Sequence, residues 1–188
     1  SFLFNTVIDM EKTNTDQQFA AIIEMCRDIF VNKLKDYGTS WRIMRPKSIT
    51  DQIYIKANRI RTIELTGTAL VDEGFEPEFI GIVNYGIIGL IQLELGVGEE
   101  IDAEEATMLY DKLIKQTTDL MLAKNHDYGE AWREMSKEGI VDMILAKIIR
   151  IKNILTNNGK TIASEGVEGN YFDIINYAIF DLIHYTEN

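Results

Sequence analysis

Between positions 14 and 35 the apolar residues Ile22, Ile23, Cys26, Ile29 and Phe30 fall three and four apart, the spacing of one face of a helix. The same spacing returns over 103–125 with Leu109, Leu113, Leu120 and Met121. Further on, "EGVEGNYFDIINYAIFDLIHY" at 165–185 separates into two stripes when residues advance about 100° each around a helix. Ile174, Ile175, Ala178, Ile179, Leu182 and Ile183 form one stripe, and Asp173, Asn176, Tyr177, Phe180, Asp181 and His184 form the other. Strand-like alternation is absent. The pattern predicts first helices over about 14–35 and 103–125, third helices starting near Thr50 and near Gly139, and last helices starting near Glu76 and near Glu168. A turn and a short helical piece stand between the first and third helix of each set, and loops of Gly, Thr, Asn and Ser precede the last.

The turns reveal the larger order. "KDYGTSW" occupies 35–41 and "HDYGEAW" occupies 126–132, although the chain has only two tryptophans. A shift of 91 residues lays Lys33 on Lys124, Asp36 on Asp127, Trp41 on Trp132, Asp51 on Asp142, Lys56 on Lys147 and Arg59 on Arg150. One inserted residue raises the shift to 92, which lays Glu73 on Glu165, Glu76 on Glu168, Asn84 on Asn176 and Tyr85 on Tyr177. Chance does not hold so many polar and aromatic residues in register, and the period is too long for a solenoid. The expected fold is therefore all-α, a tandem duplication of a unit of about four helices, one of them short. The units span 14–97 and 103–188, joined through "LGVGEEID" at 95–102. Each last helix is too apolar to face water, so the halves are expected to pair about a pseudo-twofold axis within one compact domain.

Composition narrows the partners. With 46% hydrophobic and 26% charged residues the chain reads as an ordinary globular protein, and its length allows one ample domain. The single Cys26 has no intramolecular partner, which fits a reducing cytoplasm. No basic region followed by an apolar run opens the chain, which argues against a secretory signal. The run "FIGIVNYGIIGLIQLEL" at 79–95 holds Asn84, Gln92 and Glu94 and is short for a membrane span, so it is expected inside protein. A net charge of −11 argues against binding duplex DNA. It leaves room for a small phosphorylated ligand, which feels only the local field.

Locally the field reverses. Between 42 and 61 stand Arg42, Arg45, Lys47, Lys56, Arg59 and Arg61 against Asp51 alone. Lys56 with Arg59, and Lys147 with Arg150, are three apart and share a helix face, suited to a phosphate or to salt bridges with the other copy. For the DYG turn, Gly38 and Gly129 fit a left-handed residue closing the first helix, with Tyr and Trp as packing anchors. The sharper reading puts Asp36 and Asp127 in a cleft, with Tyr37 or Trp41, and Tyr128 or Trp132, stacking on a base. On the last helix both aspartates of the second copy are glycines in the first, Gly81 for Asp173 and Gly89 for Asp181. Glu165, Glu168 and Asp173 could hold Mg²⁺, or the glutamates could be ordinary first-turn residues. Asp181 and His184 read as surface or core-edge residues. Asn84 and Asn176, set among apolar neighbours, need partners across the symmetric interface or on a ligand.

"DYG..W", then "K..R", then "E..E" leading into "NY", all repeated, resembles the nucleotide modification associated domain, a repeated domain of bacterial and phage proteins. The resemblance covers about 20–95 and 111–186. It implies a role near free or modified nucleotides. A looser similarity is to the all-α nucleotide pyrophosphohydrolases of the MazG and dimeric dUTPase kind, whose E-x-x-E and E-x-x-D pattern is met only in part by Glu165, Glu168 and Asp173. The resulting expectation is a nucleotide-binding protein acting as a Mg²⁺-dependent phosphohydrolase, with Glu168 and Asp173 catalytic. Its rival is a non-catalytic nucleotide sensor or helical scaffold. The expected partner is a nucleotide-like small molecule, with no membrane, and the first helix of each unit fits internal packing and homodimer formation equally.

Overall fold

The computed structural model describes residues 2–69, 74–161 and 165–187, with side chains described from residue 14 onward. Among the described residues six α-helices make up the fold: α1 Phe2–Tyr37, α2 Pro46–Thr66, α3 Glu76–Leu95, α4 Ala103–Tyr128, α5 Lys137–Thr156 and α6 Val167–Thr186. Short 3₁₀ turns, Ser40–Ile43 and Ala131–Glu134, follow α1 and α4. The protein is all-α and built from two tandem copies of one helical unit.

Local chemistry sets the boundaries. Gly38 and Gly129 close α1 and α4 at φ of 61° and 60°, the left-handed conformation glycine adopts without a Cβ clash. The DYG motif is thus the stop signal of the first helix in each copy. Helix α2 begins at Pro46, four residues before the expected Thr50, because proline at a first-turn position loses no hydrogen bond and presets φ. Ser136 accepts the Gly139 N–H at 3.0 Å and starts α5 at Lys137. Asp102 caps α4 in the same way, through the Glu105 N–H at 2.7 Å.

The copies meet along α3 and α6, with α2 and α5 packed beside them. A Cβ on Gly86 would lie 2.5 Å from Ile175 Cγ1, and one on Gly89 2.9 Å from the Tyr171 ring, so glycines on α3 make room for bulk on α6. Two ion pairs mark the pseudo-twofold axis: Arg61–Asp142 at 3.6 Å and its symmetric counterpart Lys152–Asp51 at 3.2 Å. The first helices cross over, α1 touching α6 as well as α3, and α4 touching α3 as well as α6. Among the described residues α3 alone is long and apolar enough to cross a membrane, and 72% of its most apolar window is buried inside the molecule.

The matched asparagine of each copy sits on this crossover. Asn84 donates to the Cys26 carbonyl at 3.0 Å and accepts from the Tyr110 hydroxyl of the other copy at 2.7 Å. Asn176 donates to the Thr117 carbonyl at 3.4 Å, but its oxygen has no partner among the described residues. The reason is a single substitution within the repeat: the position matching Tyr110 is Phe19. Gln92 and His184, also matched, hold the Trp turns. Gln92 donates to the carbonyls of Arg42 and Met44, each at 2.8 Å, and His184 Nε2 lies 2.9 Å from the Trp132 carbonyl.

Asp181 departs from its expected place at the surface or core edge. It is fully buried, and neither carboxylate oxygen has a hydrogen-bond partner among the described residues. Burial, with Glu64 and Glu138 adding like charge, pushes its carboxyl up to about 8. The helix stripe that reads as polar in sequence lies mostly inside the bundle, because α6 is covered on several sides by α1, α3 and α5.

Candidate functional site: a pocket in each repeat

Each repeat carries a pocket of its own at matching positions, between its first helix, its Trp turn and its last helix. The first, about 760 Å³, is lined by Lys33, Trp41, Lys56, Gly81, Asn84 and Tyr85 among others. The second, about 440 Å³, is lined at the matching positions by Lys124, Trp132, Lys147, Asp173, Asn176 and Tyr177. What differs is how the two lysines are answered.

In the second repeat Asp173 holds both. Its Oδ1 accepts from Lys124 Nζ at 2.6 Å and its Oδ2 from Lys147 Nζ at 2.8 Å. Burial lowers the Lys124 ammonium's tendency to stay charged, but the bond to Asp173 and that carboxylate's charge outweigh it, and its pKa rises. Lys147 and Asp173 are both buried, so the ion pair between them is largely removed from water. Trp132 is closed off as well. It is 4% exposed, stacks on Phe180 at 4.3 Å with the rings 3° from parallel, and lies under the Arg133 guanidinium at 4.4 Å.

In the first repeat the acid is absent from the wall. Lys56 lies against Gly81, where a Cβ would meet its Cε at 2.6 Å, and its Nζ stands 5.9 Å from the Tyr85 ring centre. Neither Lys33 nor Lys56 pairs with a carboxylate among the described residues. The smaller Ile88 replaces Phe180, and Trp41 is only partly buried, so the aromatic wall stays open to the cavity. Glu76 and Glu78 line the α3 N-terminal end, and Arg59 bonds Glu78 at 3.3 Å.

Several expectations change on this geometry. The cations of both copies do not converge on one acidic cluster; each copy keeps its own lysines. The local excess of positive charge in the first copy is dispersed: Arg42 is buried and bonds Gln92 and the Gly96 carbonyl, while Arg61 pairs across the seam. Arg150 and Glu168 are exposed and line neither pocket. Asp36 and Asp127 are likewise exposed and outside both, with Asp127 3.1 Å from His126. Trp132 has no accessible face for a base, whereas Tyr37, Tyr128 and Trp41 remain at pocket walls. Glu165 lines the second pocket, and its repeat partner Glu73 lies outside the described residues.

The donor set does not fit the expected Mg²⁺. Both oxygens of Asp173 are held by ammonium groups, Glu168 is exposed and lines neither pocket, and no group of three His, Cys, Asp or Glu is arranged to hold a metal among the described residues. The residues that sequence reasoning passed over are Lys33 and Lys124, although their register across 91 residues was a usable signal.

The model of the family described as Nucleotide modification associated domain 1 matches residues 33–93 and 124–185. The chain belongs to that family. Each matched segment of this nucleotide modification associated domain opens on its pocket lysine, Lys33 or Lys124, and runs through the last helix of its repeat. No curated protein and no solved structure matches the chain. The looser likeness to pyrophosphohydrolases of the MazG kind gains no support from these comparisons.

Proposed function

We propose that the protein binds a nucleotide in the pocket of its first repeat, with the phosphate on Lys33 and Lys56 and the base against Trp41. One observation carries this reading: the same two lysines close on a carboxylate in the second repeat and meet none among the described residues in the first. Two ammonium groups lining a partly apolar cavity attract an anion of small size, and Ile43, Met44, Ile80 and Ile88 give its other end an apolar seat. The family to which the chain belongs, named for association with nucleotide modification, makes a nucleotide the natural occupant. Binding, rather than hydrolysis, is the function supported, since the acids that hydrolysis would require are dispersed or engaged.

The test uses Gly81→Asp. It installs in the first repeat the acid that the second repeat carries, and only the flexible end of Lys56 has to shift. Calorimetry and thermal melting against a nucleotide panel, with phosphate release followed in parallel, are expected to show wild-type binding and at least a roughly tenfold loss in the variant, as for removal of a charged contact. Lys56→Ala should lose affinity similarly. Binding unaffected by either substitution would end the proposal, and phosphate release dependent on Lys56 would replace it with catalysis.

A further inference from the structure

The first repeat's pocket has a direction as well as a charge. Along α3 it runs from Glu76 through Gly81 to Ile88, twelve residues or roughly 18 Å at helical rise. Its three stretches differ in chemistry. Glu76 and Glu78 stand at one end, Lys56 meets Gly81 in the middle of a wall that Lys33 also lines, and Trp41 and Ile88 form an aromatic and apolar seat at the other.

The second repeat supplies a measure of what the lysine pair can grip. There, Lys124 and Lys147 each take one oxygen of a single carboxylate, at 2.6 and 2.8 Å. The matching pair, Lys33 and Lys56, rises from the same positions of matching helices. Its reach therefore suits two oxygens of one compact anionic group, not a chain of them. A dianionic phosphomonoester balances two ammonium charges. Each further phosphate would carry its charge either toward Glu76, whose like charge repels it, or into the apolar seat, where desolvation opposes it. Arg59 offers little relief, because Glu78 already engages it at 3.3 Å.

We infer that the pocket selects a single phosphoryl group, so that the ligand is a nucleoside monophosphate and not a di- or triphosphate. This rests on the phosphate seat of the proposed function. The monophosphate enters base first toward Trp41, with its phosphoryl stopping at the lysines. Glu76, exposed and without a side-chain hydrogen bond among the described residues, is placed to repel longer phosphate tails.

Calorimetry on the full chain tests this with 2′-deoxynucleosides, their 5′-mono-, di- and triphosphates, ribose 5-phosphate and inorganic phosphate, all without divalent cation. At least one monophosphate is expected to bind about tenfold tighter than its triphosphate at low salt, and Glu76→Gln should narrow that gap. A triphosphate that binds as tightly as its monophosphate would overturn the inference and leave the nucleotide reading standing. A gap unmoved by Glu76→Gln would overturn the role given to that residue. Ribose 5-phosphate as tight as the best nucleotide would keep the single phosphoryl group and remove the base. Failure of every phosphorylated probe would overturn both.

Discussion

The two repeats share a helix plan, a Trp turn and a pair of lysines, yet they use the lysines in opposite ways. In the second, Asp173 sits between Lys124 and Lys147, Phe180 covers Trp132, and the cavity shrinks to about 440 Å³. In the first, Gly81 and Ile88 take those places, and the cavity is about 760 Å³. Two substitutions along one helix face convert a self-satisfied pocket into one that can accept an outside anion. The comparison teaches that one helical plan can close its lysines on an internal carboxylate or leave them facing a cavity. On the proposed function, the closed pocket serves stability and the open one serves binding.

The strongest way to break this contrast is Asp173→Ala. It strands Lys147 as a buried, unpaired charge, and should cost about 3–5 kcal/mol in denaturant unfolding, while Lys56→Ala in the first repeat costs under about 1 kcal/mol. Equal losses at both positions would dissolve the distinction.

Asp181 sharpens it next, since its counterpart Gly89 carries no charge. Its folded pKa, about 8, lies above the unfolded value of 3.8. The native state therefore binds the extra proton, so this group's contribution is full below about pH 4 and is lost as pH rises toward 8. Asp181→Asn is expected to flatten that decline and to stabilise the protein by on the order of 2 kcal/mol at pH 8. Chemical denaturation at pH 5 and pH 8 measures it; an unchanged pH slope would show that the carboxylate is hydrated.

The smallest effects lie at the matched asparagines. Tyr110→Phe removes the donor to Asn84 and should cost about 1–2 kcal/mol, whereas Phe19→Tyr offers Asn176 the donor it lacks and should gain up to about 1 kcal/mol. Thermal unfolding of the two variants should shift in opposite directions. Shifts of the same sign would mean that the extra hydroxyl does not fit beside Phe180, whose ring centre is 6.0 Å from that of Phe19.

Much of the fold could be read before any coordinates. The register of Trp41 on Trp132 and Asp51 on Asp142 disclosed the duplication, and Gly38 and Gly129 marked the helix ends, because these signals are local or strictly periodic. Pro46 was equally local, and its preference for the first helical turn places α2 correctly once weighed. The site was less legible. An exposed lysine such as Lys33 looks in sequence like any solvated residue, and nothing local says that it faces Lys56 across a cavity. Asp173 reads as a metal ligand beside Glu165 and Glu168, but its partners come from helices 26 and 49 residues away. Partner choice over such separations is a property of packing.

Glycine on α3 opposite ring and isoleucine on α6 also gives the seam a polarity. Gly86 receives Ile175 and Gly89 receives Tyr171, whereas the matching residues of α6 are Ala178 and Asp181. Two second halves brought together would set Ala178 against Ile175 and Asp181 against Tyr171 and would collide, whereas two first halves would keep Gly86 opposite Val83 and Gly89 opposite Phe79. The seam thereby disfavours the pairing of one second half with that of a neighbour, part of the exchange hazard that any exact tandem copy carries.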